Sequence, residues 1–185
     1  MLKWILGTVV GGILGIAGYF FYYLGAYKPV LVSEQQVLAL HLLYVDHVGP
    51  YHKIAPLIIG VEQWAEANKV DCHLSFGEYF DDPRVIEEGR LRSRAGCLLE
   101  DPQNFPTDLK LPEGMKRVDL PPANRVIAVF EGSPAIGPMK VYPKVEEYFA
   151  AKNAKMGTSV IEEYEVHNEK SMTTRYLFPF ADVAK

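Results

Sequence analysis

The stretch from Tyr51 to Asn68, YHKIAPLIIGVEQWAEAN, sets Ile54, Leu57, Ile58, Val61, Trp64 and Ala65 at spacings of three and four. That spacing draws a single apolar stripe along a helix, the mark of an element that packs one face on a sheet. Upstream, Gln36 to Val45 is rich in β-branched and aromatic residues and reads as a strand, ended by the turn Asp46-His47-Val48-Gly49-Pro50. Downstream, Cys72 to Phe80 alternates as a strand and stops at Asp81-Asp82-Pro83, where Asp bonds its own backbone and proline fixes φ. Leu91 to Leu99 follows as another strand.

The same order then returns. Arg125 to Glu131 reads as a strand, Gly132-Ser133-Pro134 as a turn, Met139 to Lys155 as a helix interrupted near its start by Pro143, and Ser159 to His167 and Met172 to Phe180 as two strands. At an offset of 84, Pro50 meets Pro134, Trp64 meets Tyr148, and Phe80 meets Tyr164. A period this long is not a solenoid repeat, which runs about 20–50 residues. The pattern predicts an α+β fold: duplicated strand-helix-strand-strand modules with pseudo-two-fold symmetry, forming an antiparallel sheet with two helices packed on it. Between the halves, Glu100 to Pro122 is rich in proline and polar residues and reads as a long connection.

Ahead of the modules, Trp4 to Leu24 carries no charge. As a helix it would extend roughly 31 Å, against about 30 Å for a hydrocarbon core, so this reading expects a single transmembrane helix. The division is then a membrane anchor over 1–27 and a domain over 28–185. Trp4 and Tyr19, Tyr22, Tyr23 and Tyr27 suit the two headgroup levels. Gly7, Gly11 and Gly15 fall on one stripe that would admit a second helix and allow self-association. Lys3 and Lys28 balance each other, so charge barely orients the span; unpaired thiols on Cys72 and Cys97 would place the domain on the cytoplasmic face.

The domain holds all 23 Asp+Glu against 18 Lys+Arg, a net −5, because only Lys3 of the 19 basic residues lies outside it. An acidic domain argues against nucleic acid as a partner. Cys72 and Cys97 are too few for a disulfide framework; two buried thiols or one bridge between neighbouring strands both fit them. His41, His47, His52, His73 and His167 show no metal-ligand spacing, there is no glycine-rich phosphate loop, and no metal or cofactor is expected.

Candidate chemistry concentrates in Val160-Ile161-Glu162-Glu163-Tyr164-Glu165-Val166. Strand side chains alternate, so Val160, Glu162, Tyr164 and Val166 share one face, and Ile161, Glu163 and Glu165 the other. The first face is mostly apolar and carries one acid, which makes Glu162 the carboxylate expected to point inward. An ionised carboxylate among apolar groups is costly unless a cation joins it or its pKa rises. The alternatives are a solvent-facing Glu162 or one tied to Arg92 or Arg94. Trp64, Phe80, Tyr142 and Tyr164 are candidate aromatic walls, offering cation–π attraction.

His47-Val48-Gly49-Pro50-Tyr51, Phe80-Asp81-Asp82-Pro83, Leu91-Arg92-Ser93-Arg94-Ala95-Gly96-Cys97 and Glu162-Glu163-Tyr164 resemble, in order and spacing, the motifs of GyrI-like small-molecule-binding domains, the effector-binding domains of bacterial regulators. The resemblance covers about Gln35 to Phe180. It implies a cleft between the two modules, with the glutamate of Glu-x-Tyr at its bottom pairing with cationic, lipophilic ligands. Glu78 departs from the family, which usually has an apolar residue after that glycine, and reads as a second acid or a rim charge. The N-terminal apolar helix ahead of such a domain is also similar to the testis-expressed ER-phagy receptor family, whose autophagy tail has no counterpart here. The expected function is a membrane-anchored module binding a lipophilic cation or a peptide. The alternatives are a hydrolase of strained electrophiles using Glu162 and Tyr164 as acid–base and hydrogen-bond donor, an adaptor or receptor at the membrane, and a tetrapyrrole binder.

Overall fold

Two copies of strand-helix-strand-strand make up the structure. The computed structural model describes residues 2–99, 105–106, 108–168 and 171–181, with the side chains of residues 2–5, 8 and 171 outside the description. In chain order the elements are α1 (Leu2–Tyr23), β1 (Val30–Val37), β2 (Leu40–Val48), a 3-10 turn (Tyr51–Lys53), α2 (Ala55–Ala67), β3 (Cys72–Tyr79), β4 (Arg92–Leu99), β5 (Met115–Leu120), β6 (Ala123–Phe130), α3 (Gly137–Ala151), β7 (Val160–Asn168) and β8 (Ser171–Pro179). Both long helices of the modules carry proline in their first turn, where its missing N–H costs nothing. Both stop at a left-handed residue, Lys69 (φ 58°) and Asn153 (φ 50°), again 84 apart. Pro143 does not interrupt α3; the helix begins earlier, at Gly137, and runs through it.

One antiparallel sheet runs β1-β6-β8-β7-β3-β4-β2-β5. The order is a palindrome under the duplication, with the pseudo-two-fold axis between β7 and β3. The edge strands follow from exchange: β1 precedes β2 in sequence yet pairs with β6, and β5 precedes β6 yet pairs with β2. In a flat sheet β1 and β2 would lie about 29 Å apart, six strand spacings. The two residues Leu38 and Ala39 reach only about 11 Å between Val37 and Leu40. The sheet therefore curls until its ends meet.

Curling buries both faces. The inner face packs on itself through Leu42, Tyr44, Phe76, Leu98, Ile127, Ile161 and Leu177, with no helix involved. On the outer face, α2 sets Val61 and Ala65 against Leu43, Cys97 and Leu99. In the second half, α3 sets Val141, Val145 and Phe149 against Val126, Ala128, Phe130 and Phe178. A bulge between Cys72 and Leu74 turns Cys72 onto the α2 side, where it joins Cys97 in a disulfide across β3 and β4, Cα–Cα 5.5 Å. The two cysteines are therefore a bridge and not a pair of buried thiols.

The sequence reading needs correcting in two places. Among the described residues no helix is long and apolar enough to cross a membrane. This overturns the transmembrane anchor, and with it the single-pass placement of the domain on a cytoplasmic face. Trp4, expected at one headgroup level, lies outside the described side chains. Gly7, Gly11 and Gly15 have nothing within 4 Å of where a Cβ would stand. The end of α1 is tied to the second module: Ser133 N donates to Leu24 O at 3.0 Å, and the Lys140 ammonium donates to the carbonyls of Ala26 and Lys28. The second correction concerns strands. The segment Gln36–Val45 straddles two strands instead of forming one, and the connection from Glu100 contains β5, with residues 100–104 and 107 outside the description.

Because the inner core has only side chains to fill it, Phe76→Ala at its centre should cost about 3–5 kcal/mol, whereas Val85→Ala, on a residue 78% exposed, should change little. Urea denaturation of both variants checks this, and equal midpoints would refute the inner core.

Candidate functional site

α2 lies over the outer face of β2, β3 and β4, and α3 over that of β1 and β6, so neither covers the axis. What remains between them is a cleft of about 1150 Å³ floored by β3 and β7. Its walls are Ile54 and Ile58 from the α2 side, Pro138, Met139 and Tyr142 from α3, and Phe80 from the loop after β3. The lining is mainly apolar.

Glu162 sits on the floor. The register places it opposite Gly77 on β3 and Tyr176 on β8, and only 6% of it is exposed. Tyr164 Oη donates to Glu162 Oε2 at 3.1 Å, and Tyr79 Oη lies 2.7 Å from Tyr164 Oη. Since the Tyr164 proton is committed to the carboxylate, Tyr79 is the donor in the second bond. Gly77 makes room for this row: a Cβ there would stand 2.8 Å from Tyr79 Oη and 2.9 Å from Ile54 Cδ1. Tyr51 packs edge-on against the Tyr79 ring at 4.7 Å, and its hydroxyl donates to Asp81 O at 2.8 Å.

No Lys, Arg or His pairs with Glu162 among the described residues. Arg92 is held by Asp81 at 2.7 Å, and Arg94 by Glu78 at 3.1 Å and Asp46 at 3.4 Å. Burial without a cation pushes the Glu162 carboxyl up to about 8, and the Tyr164 hydrogen bond only partly opposes it. Burial, with the nearby Glu162 carboxylate, raises the pKa of Tyr79, Tyr142, Tyr164 and Tyr176 as well, so these phenols stay protonated. At the mouth, Arg84 bridges the loop to α3 through Asp82 (2.8 Å) and Glu146 (3.3 Å), and Glu62 accepts from Ser75 across α2 and β3.

Of the residues singled out in the sequence, Glu162, Tyr164, Phe80 and Tyr142 line this one cleft, and Trp64 does not. Trp64 packs instead on the cluster of Leu43, Val61 and Leu99, on the far side of α2 from the axis. Glu78 is neither a second acid in the cleft nor a rim charge; it points to the inner face, 4% exposed, against Arg94. Glu163 faces inward too, as alternation requires, and is buried with Arg175 Nη1 at 2.5 Å from Oε2. Tyr51, Tyr79 and Tyr176 were missed. Alternation along β3 from Gly77 would have found Tyr79, whereas Tyr176 needs the β7–β8 register.

No protein-family model matches the chain, and no curated protein matches its sequence. The fold itself is shared. EcmrR, in a complex with DNA, aligns over 98% of this chain and 70% of its own at 13% identity, TM-score 0.65. A hydrolase from Listeria innocua aligns over 88% and 98% at 12% identity, TM-score 0.54. SAV2435, bound to tetraphenylphosphonium, aligns over 83% and 95% at 12% identity, TM-score 0.50. At these identities the likeness is one of fold alone.

The raised Glu162 pKa sets a pH dependence. The folded chain holds a proton that the unfolded chain gives up near the ordinary carboxylate value of 4.5, so stability falls as pH rises from there to about 8 and then levels. Glu162→Gln removes this contribution. The stability difference between variant and wild type, from urea melts across that window, should shift in favour of the variant by a few kcal/mol. A constant difference would mean that Glu162 is ionised throughout.

Proposed function

We propose that residues 28–185 form a small-molecule-binding module that holds a lipophilic cation in the cleft between α2 and α3. One observation carries the reading: a carboxyl at the floor of an apolar, tyrosine-walled cleft has no basic partner among the described residues. A bound cation supplies the missing charge, the rings of Tyr79 and Tyr142 supply faces for cation–π contact, and Phe80, whose ring already carries Arg94, adds apolar area. Glu162 and Tyr164 are the anchoring pair, with Phe80 and Tyr142 as walls. The tetraphenylphosphonium on SAV2435 supports a ligand of this class.

A second reading, hydrolysis of a strained electrophile, is favoured by the bonded row Tyr79–Tyr164–Glu162, which could pass a proton to a leaving oxygen. The hydrolase among the structures of like fold is in keeping with it. Turnover of an epoxide panel, abolished by Glu162→Gln, would select it over binding alone.

Calorimetric titration with tetraphenylphosphonium above pH 8 tests the leading reading. Glu162→Gln should weaken binding roughly 10- to 150-fold, the value of a charge-assisted contact. Glu163→Gln, on the opposite face, should leave affinity within about twofold of wild type if it folds. Equal losses in the two variants, or no binding by wild type, would overturn the proposal.

A further inference from the structure

Building on that reading of the cleft, we infer that it accepts two classes of ligand exchanged by one proton: lipophilic cations, and neutral lipophilic hydrogen-bond acceptors such as phosphine oxides and ketones. Tyr79, Tyr164 and Glu162 are joined by two hydrogen bonds of 2.7 and 3.1 Å, and these bonds fix where their hydrogens go. With Glu162 ionised the three groups own two O–H hydrogens, and both are consumed within the row. The polar atoms of the row then offer the cleft only lone pairs and negative charge. A cation fits this floor and a carbonyl does not, because two acceptors face each other with no hydrogen between them.

With Glu162 protonated the same groups own three hydrogens for two internal bonds. The third O–H finds no acceptor left within the row and is free to face the cleft. It does so either from Glu162 itself, or from Tyr79 after the row reverses so that Glu162 donates to Tyr164 and Tyr164 to Tyr79. In both cases the floor is neutral and presents one donor. An apolar ligand with an acceptor oxygen satisfies it, and a cation gains nothing from the missing charge.

The surroundings leave Glu162 free to switch. It is faced by Tyr79 and Tyr51 from the β3 side, Tyr176 from β8, Tyr142 from α3, and Ile54 and Ile58 from the α2 side; no cation stands among them. The charged groups Glu62, His52, Asp82, Arg84 and Glu146 are at the mouth, and Arg84 is already held by Asp82 and Glu146. Burial places the carboxyl at about 8 while the phenols remain protonated, so both forms of the floor exist near neutrality.

Tetraphenylphosphonium and triphenylphosphine oxide, similar in shape but differing in charge and in the acceptor oxygen, test this by titration of the full chain from about pH 6 to 9.5. Tetraphenylphosphonium affinity should rise about tenfold per pH unit up to about 8 and then level, and oxide affinity should be level up to about 8 and then fall about tenfold per unit. Glu162→Gln carries an N–H donor at every pH, so it should keep the oxide, bind the cation weakly and lose both pH dependences. If neither probe binds wild type at any pH, the cleft is not a small-molecule site. If the cation binds and the oxide does not, or if the two probes share one pH profile, the two-class inference alone is overturned.

Discussion

The architecture depends on two short links. Leu38-Ala39 joins β1 to β2 and Pro121-Pro122 joins β5 to β6, yet each pair lies six strand spacings apart in the sheet order. Links of that length force the sheet to curl, because a flat sheet would pull each chain segment well beyond its extended reach. Curling buries the inner face against itself, so that face needs no helix. Both module helices are left for the outer face, one per module. They sit to either side of the axis, and the central strands β3 and β7 become the floor of a cleft. The site is thus a consequence of duplication plus edge exchange, with the loop after β3 adding Phe80 to its wall.

Much of the fold is legible in the sequence because packing periodicity carries it. The α2 stripe, the repeat at an offset of 84 and the alternation in Val160–Val166 all have a physical period that tertiary contacts reinforce. The edge strands are harder to see. β1 reads VLVSEQQV, half of it polar, since an edge strand has one exposed face, and β5 is short and set between prolines, so its six residues look like connection. Which strands pair across the molecule depends on the exchange of β1 and β5, and no local pattern records that. The apolar run at the start read as a span on hydropathy alone, and the structure supplies no such span among its described residues.

The site was legible in part for the same reason. Alternation put Glu162 and Tyr164 on one face, and the cleft places both there together with Phe80 and Tyr142. Trp64 failed because the α2 stripe is broad enough to serve two surfaces. Ile54 and Ile58 turn to the cleft, whereas Val61, Trp64 and Ala65, a turn or more further on, follow the helix over β3 and β4. Reading Glu78 as a second acid or a rim charge overlooked that it is one residue out of step with Gly77 and Tyr79.

The inner face shows how this chain handles a buried acid when no ligand is involved. Glu78 is met by Arg94, Glu163 by Arg175, and Arg125 stands within electrostatic reach of both acids, so each carboxylate has a guanidinium to offset its desolvation. Arg94 is further spread over the rings of Tyr44 at 4.6 Å and Phe80 at 5.0 Å. Glu162 is buried to the same degree on the other face and receives one phenolic hydrogen bond and, among the described residues, no ion pair. A structural carboxylate at that position would cost stability with nothing returned, since Gln or Leu would fill the volume without the penalty. The contrast between two faces of one strand, Glu163 neutralised by Arg175 and Glu162 without a basic partner among the described residues, is the observation on which the proposed ligand site rests.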